Sequence, residues 1–214
     1  MTIEQPKYFR PENQFPLIMQ KIADIHGVSF SDASLSNMVV VASACGIADD
    51  EIDRCKSLDK RTKITNDAFS FLMGAVTDLA DTGSQTFPAY QESMEYLKNF
   101  MSGLPDDRRH TLMRNFRIWS RISEMRRDKP NIQDSIRLRK VDLNVTAAIY
   151  LSAVSDEDRG RPEFSRLMKD VKKMVRIAGM IDDSMDLPDD YINGVVPVDP
   201  KLRNRLTFLS HGLV

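Results

Sequence analysis

Apolar side chains recur at intervals of three and four residues along nearly the whole chain, and the two-residue alternation of a half-buried strand is almost absent. A chain patterned this way can bury its apolar surface only as packed helices. The periodicity predicts helices over about 15–26, 35–57, 64–80, 86–103, 106–128, 132–154, 162–187 and 199–210. "PDDRRH" supplies proline and acids for one helix start, and "DKPNIQDS" ends one helix and caps the next. No internal repeat, low-complexity tract or shift in composition marks a boundary. The expectation is therefore one all-α domain over residues 1–214, entered through an extended N-terminal segment, 1–14.

Length and charge narrow the function classes. At 214 residues the chain can enclose a sizeable core. The formal net charge is −1, so no general attraction to nucleic acid or to an anionic membrane is expected. No apolar run reaches the 18 or so residues of a membrane span. The stretch "MTIEQPKYFRPENQFP" has acids and prolines and no apolar centre, unlike a secretory signal. Cys45 and Cys55 lie ten apart on one expected helix, a poor geometry for bridging, which points to reduced thiols in the cytoplasm. His26, His110 and His211 have no zinc spacing.

Two acidic clusters stand out. "VVVASACGIADDEIDR", residues 39–54, runs from apolar and small residues into Asp49, Asp50, Glu51 and Asp53. Asp49 and Asp53 are four apart and share a helix face with Cys45. "MKDVKKMVRIAGMIDDSMDLPDDYING" repeats the arrangement: Val171, Val175, Ala178 and Asp182 form one stripe, extended by Asp186 and Asp190. Carboxylates crowded at an apolar mouth repel one another, and a divalent cation relieves that; hard oxygen donors suit Mg²⁺. The plain alternative is two solvated helix ends.

Taken in order, these residues resemble the class I terpene synthases. Asp49–Asp53 reads as DDxxD, and Asp182, Asp183, Asp186 and Asp190 fall on the family's second metal motif, (N/D)DxxSxxxE. Asp49 and Asp182 are 133 residues apart, close to the usual separation. Between them, "IWSRISEMRRDKPNIQDSIRLRKVDLNV" resembles the helix–proline–helix segment that ends in a diphosphate-sensing arginine. Arg139, 43 residues before Asp182, takes that place, with Asp142 as the linker and Leu143 as the residue whose carbonyl is the effector.

The resemblance implies an isoprenoid synthase fold with a central apolar cavity. It further implies three Mg²⁺ ions shared with the diphosphate of an acyclic prenyl substrate, ionisation to an allylic carbocation, and cyclisation or quenching. Phe69, Phe71, Phe116, Trp119 and Tyr150 are wall candidates, though each is more often plain core. Helical enzymes of this type often pair, so a homodimer stays open. Pro188 falls between Asp186 and Asp190, where a break or kink is expected to separate Asp190 from the metal. The C-terminal "RNRLTFLSHGLV" offers Arg203 and Arg205 but no tyrosine for the family's Arg-Tyr pair. The alternatives are a trans-prenyltransferase, elongating or of the squalene and phytoene synthase type, another Mg²⁺-dependent helical enzyme, and a non-catalytic helical relative.

Overall fold

The computed structural model describes residues 15–55, 57–128, 131–192, 194 and 196–213. Those residues form nine α-helices and no strand, so the all-α expectation holds: α1 (Phe15–Ile25), α2 (Asp32–Asp53), α3 (Leu58–Leu72), α4 (Phe87–Ser102), α5 (Asp106–Arg127), α6 (Ile132–Ser152), α7 (Asp156–Arg159), α8 (Phe164–Ile192) and α9 (Leu202–Leu213). No helix among the described residues is long and apolar enough to cross a membrane. The expected extended segment 1–14 and Pro130 lie outside the described residues.

Two boundaries differ instructively from expectation. The third helix was expected over 64–80, yet α3 runs from Leu58 to Leu72. Its periodicity continues through Val76 and Leu79, but Gly74 adopts φ 73° and turns the chain, its N–H bonding to the Phe71 carbonyl. Only glycine takes that left-handed conformation without a Cβ penalty, so local geometry overrides the apolar pattern.

The eighth helix was expected to stop at 187, and instead α8 continues through Pro188 to Ile192. Proline has no N–H, so it leaves the carbonyl four residues earlier, that of Ser184, without its helical donor. The Nε–H of Arg205 on α9 donates to that carbonyl at 2.8 Å. The expected break at Pro188 is corrected accordingly, because a side chain from α9 takes over the missing bond.

The chain packs as two compact units, one taking residues up to Met113 and Tyr150–Phe164, the other Arg114–Ile149 and Ser165–Val214. In the first unit α2 is the central helix, packed most extensively on α4 and also on α1 and α3. Met38, Val41, Ala42 and Ala44 are buried along it. Its small residues allow partners on several sides. In the second unit Ile136 and Leu143 of α6, Met180 and Leu187 of α8, Val196, Val198 and Phe208 of α9 form one core. Gly179 lets α6 and α8 approach closely: a Cβ there would stand 2.3 Å from Leu143 Cδ2.

Candidate functional site

The ten candidate residues divide between the units. Asp49, Asp50 and Asp53 belong to the first; Arg139, Asp142, Leu143, Asp182, Asp183, Asp186 and Asp190 belong to the second. Each group is described within its own unit.

In the first unit Asp49, Asp50 and Asp53 occupy the last turns of α2 and are half-buried. The carboxylate in the middle of the motif is the one the fold encloses. Glu51 is 1% exposed and accepts hydrogen bonds from Thr82 Oγ1 at 2.5 Å, Ser84 Oγ at 2.8 Å and Thr86 Oγ1 at 2.6 Å, with Arg54 Nη1 at 3.8 Å. Burial works to raise its pKa, but the three hydroxyl bonds and the Arg54 charge prevail and hold it below its ordinary 4.5. The hydroxyl-rich "TGSQT", 82–86, was the only hint of this in the sequence. A cleft of about 570 Å³ opens beside it, lined among others by Arg54, Cys55, Lys60, Lys63, Asp67 and Asp81. Its lining is charged, unlike a hydrocarbon chamber. Of the aromatic candidates here, Phe71 is buried core with Lys98 Nζ 4.1 Å from its ring centroid.

The second unit brings Arg139, Asp142 and Asp183 together. Arg139 projects from α6, and its Nη1 lies 2.5 Å from Asp142 Oδ2, one turn along the same helix. Its Nη2 lies 2.8 Å from Asp183 Oδ1 on α8. A fourth residue, Arg126 in the last turn of α5, completes the group: Nη1 is 3.6 Å from Asp142 Oδ2 and Nη2 is 3.4 Å from Asp183 Oδ2. Two guanidinium groups thus face two carboxylates, all four side chains at most 17% exposed. Burial and the neighbouring Arg139 lower the pKa of Arg126, while Asp183, Asp142 and Asp190 act in the opposite direction. A guanidinium remains charged throughout. Nothing in "EMRRDKP" marks Arg126 out from the charged residues around it, so it had no role among the sequence expectations.

Asp182 and Asp186 lie one turn apart on the exposed face of α8. Partial desolvation raises the pKa of Asp182, reinforced by Asp186 and Asp183 and opposed by Arg139. Mg²⁺ commonly takes one or two protein carboxylates and completes its shell with water and phosphate oxygens, so this strained pair suits it. Asp183 does not, because both its oxygens face arginines. Asp190 bears electrostatically on Arg126, on the face of α8 that also carries Asp183. Among the described residues no three His, Cys, Asp or Glu side chains gather in a way that could hold a metal ion. Leu143 is buried against Gly179, leaving only its backbone for an effector role.

A scan against known protein families, a search of curated proteins and a search of solved structures each find no match.

Proposed function

We propose that the protein is a cytoplasmic, Mg²⁺-dependent class I terpene synthase, built on an isoprenoid synthase fold with an apolar chamber, that ionises an acyclic prenyl diphosphate. The observation that carries this reading is the contact between Arg139 and Asp183 at 2.8 Å. It brings the arginine that the resemblance casts as diphosphate sensor against the second acidic motif, with its linker Asp142 on the same guanidinium.

In this reading Asp182 and Asp186 would hold metal within the second unit, while Asp49 and Asp53, flanking Asp50, are the candidates within the first. Mg²⁺, when bound, supplies Lewis-acid stabilisation of the departing diphosphate. Arg139 adds fixed positive charge where the leaving group develops negative charge, and Asp142 orients it. The Leu143 carbonyl, by contrast, lies inside the unbroken α6 and is taken up by that helix's own hydrogen bonding.

The test is incubation with ten-, fifteen- and twenty-carbon prenyl diphosphates and Mg²⁺, measuring released diphosphate and identifying products by gas chromatography. Hydrocarbon or alcohol with stoichiometric diphosphate is expected, and Asp49→Ala or Arg139→Ala should abolish it while helix content is unchanged. Lengthened products appearing only when isopentenyl diphosphate is added would establish a prenyltransferase instead. Wild-type turnover in either variant overturns the assignment of the site.

A second reading, a non-catalytic relative, has its own observation in favour. Arg139 meets two carboxylates of the chain itself, as a purely structural ion pair would. A thermal midpoint unmoved by Mg²⁺ with pyrophosphate would support it, since ligands of a genuine site stabilise the folded state.

A further inference from the structure

We propose that Arg126 is a positioning residue for Arg139: it keeps Asp142 and Asp183 neutralised when Arg139 leaves them for the substrate's diphosphate. The inference rests on the catalytic reading above and concerns how that site is released for work.

The argument begins with charge balance. Asp142 and Asp183 are buried, with side chains 3% and 7% exposed, and each faces both arginines. A buried carboxylate stripped of its counter-ion is strongly destabilising. Arg139 alone would therefore be locked in place, because turning toward a diphosphate would abandon two such groups. Arg126 removes the lock. It reaches the same two carboxylates from α5, a different helix.

The distances fit a held reserve. Arg139 sits at 2.5 and 2.8 Å, within charge-assisted hydrogen-bond range, whereas Arg126 stands at 3.6 and 3.4 Å. A shift of well under 1 Å would bring Arg126 into full contact. Asp142 Oδ1 and Arg126 Nε have no hydrogen-bond partner among the described residues, so both partners keep capacity for a closer pairing. Arg139 is also the more exposed arginine, 17% against 11%. The departing cation is the outer one, and the remaining cation is the deeper one.

The test combines stability and turnover in Arg126→Met, Arg139→Met, the double variant and Arg126→Lys. Either arginine alone can serve both carboxylates, so each single Met variant should lower Tm modestly. The double variant should lose more than the sum of the two, up to failure to fold. In diphosphate release, Arg126→Met should lose about tenfold or more in kcat, and Arg126→Lys, which keeps the charge, should recover most of it. Additive losses in Tm, or an Arg126→Met protein as active as wild type, overturn the proposal. A wild-type protein that releases no diphosphate from any of the three substrates overturns the catalytic reading itself, and the switching role with it. The two failures are told apart because one is read in the variants and the other in the parent.

Discussion

Ser34 and Asp158 are 124 residues apart in the chain, yet the Ser34 hydroxyl donates to Asp158 Oδ2 at 2.5 Å. The same oxygen accepts from the backbone N–H of Ser31 at 2.9 Å and from its hydroxyl at 2.8 Å, and Arg161 Nη2 stands 3.1 Å from Oδ1. Ser31 in turn caps α2 by accepting from the Ser34 N–H. With Glu51 near the other end, a hydroxyl-bound buried carboxylate lies at each terminus of α2, Asp158 being supplied by α7. Truncation by Asp158→Ala should cost about 2–4 kcal/mol, because buried donors and the arginine lose their acceptor together. Urea unfolding followed by circular dichroism measures it, and a loss within 0.5 kcal/mol of zero, an ordinary surface value, would contradict the geometry.

These two carboxylates also set an acid limit. Burial acts to raise the pKa of each, but the hydroxyl bonds, the Ser31 backbone N–H at Asp158 and the adjacent arginines outweigh it, so Glu51 lies below its ordinary 4.5 and Asp158 below its ordinary 3.8. A folded-state pKa below the unfolded value means the stabilisation is complete above the unfolded value. It is then lost as pH falls through the folded one. Stability should therefore decline progressively below pH 4.5. The combined Glu51→Gln and Asp158→Asn variant, weaker at neutral pH, should show a shallower decline over the same range. Denaturant midpoints measured from pH 6 downward decide it, and parallel curves for the two proteins would contradict the account.

Gly179→Ala should be disproportionately harmful for one methyl group. The new Cβ would meet Leu143 Cδ2 at 2.3 Å, so α6 and α8 must part or Leu143 must leave its rotamer. A cost of about 1–3 kcal/mol follows for overpacking of this kind. Leu143→Ala in the same chain frees that space, so the combined loss should fall short of the two single losses added. Thermal unfolding of the three variants tests it.

Asp182→Asn should make the protein more stable and less able to bind metal. Asp182 ionises against partial desolvation and against Asp186 and Asp183, a strain that the neutral amide relieves. The gain should be of the order of 0.5 kcal/mol at neutral pH, the scale of exposed charge pairs. That corresponds to about 1–2 °C in a chain of this size. A lowered Tm in the variant would show that Asp182 has a stabilising partner instead.

Helix type was legible because a three-to-four periodicity survives in nearly every segment, although the short α7, Asp156–Arg159, was not among the eight helices expected. The exceptions have single causes: the left-handed turn at Gly74, and the Arg205 side chain that carries α8 past Pro188. The resemblance singled out Arg139, Asp142 and Asp183, yet it could not show that Asp183 faces two guanidinium groups. Arg126 was invisible for the same reason, since a buried arginine and a surface arginine are written alike. In the first acidic cluster, attention to Asp49 and Asp53 overlooked Glu51, whose enclosure depends on hydroxyls more than thirty residues away.

Because Pro188 cannot supply an amide, the seat that Arg205 occupies exists only while an imino acid holds position 188. The grip of the last helix on the chain is thus written in a residue that does not resemble a docking group. Sequence change at 188 would be felt first as a loosened tail, and only afterward in the aspartates that flank it.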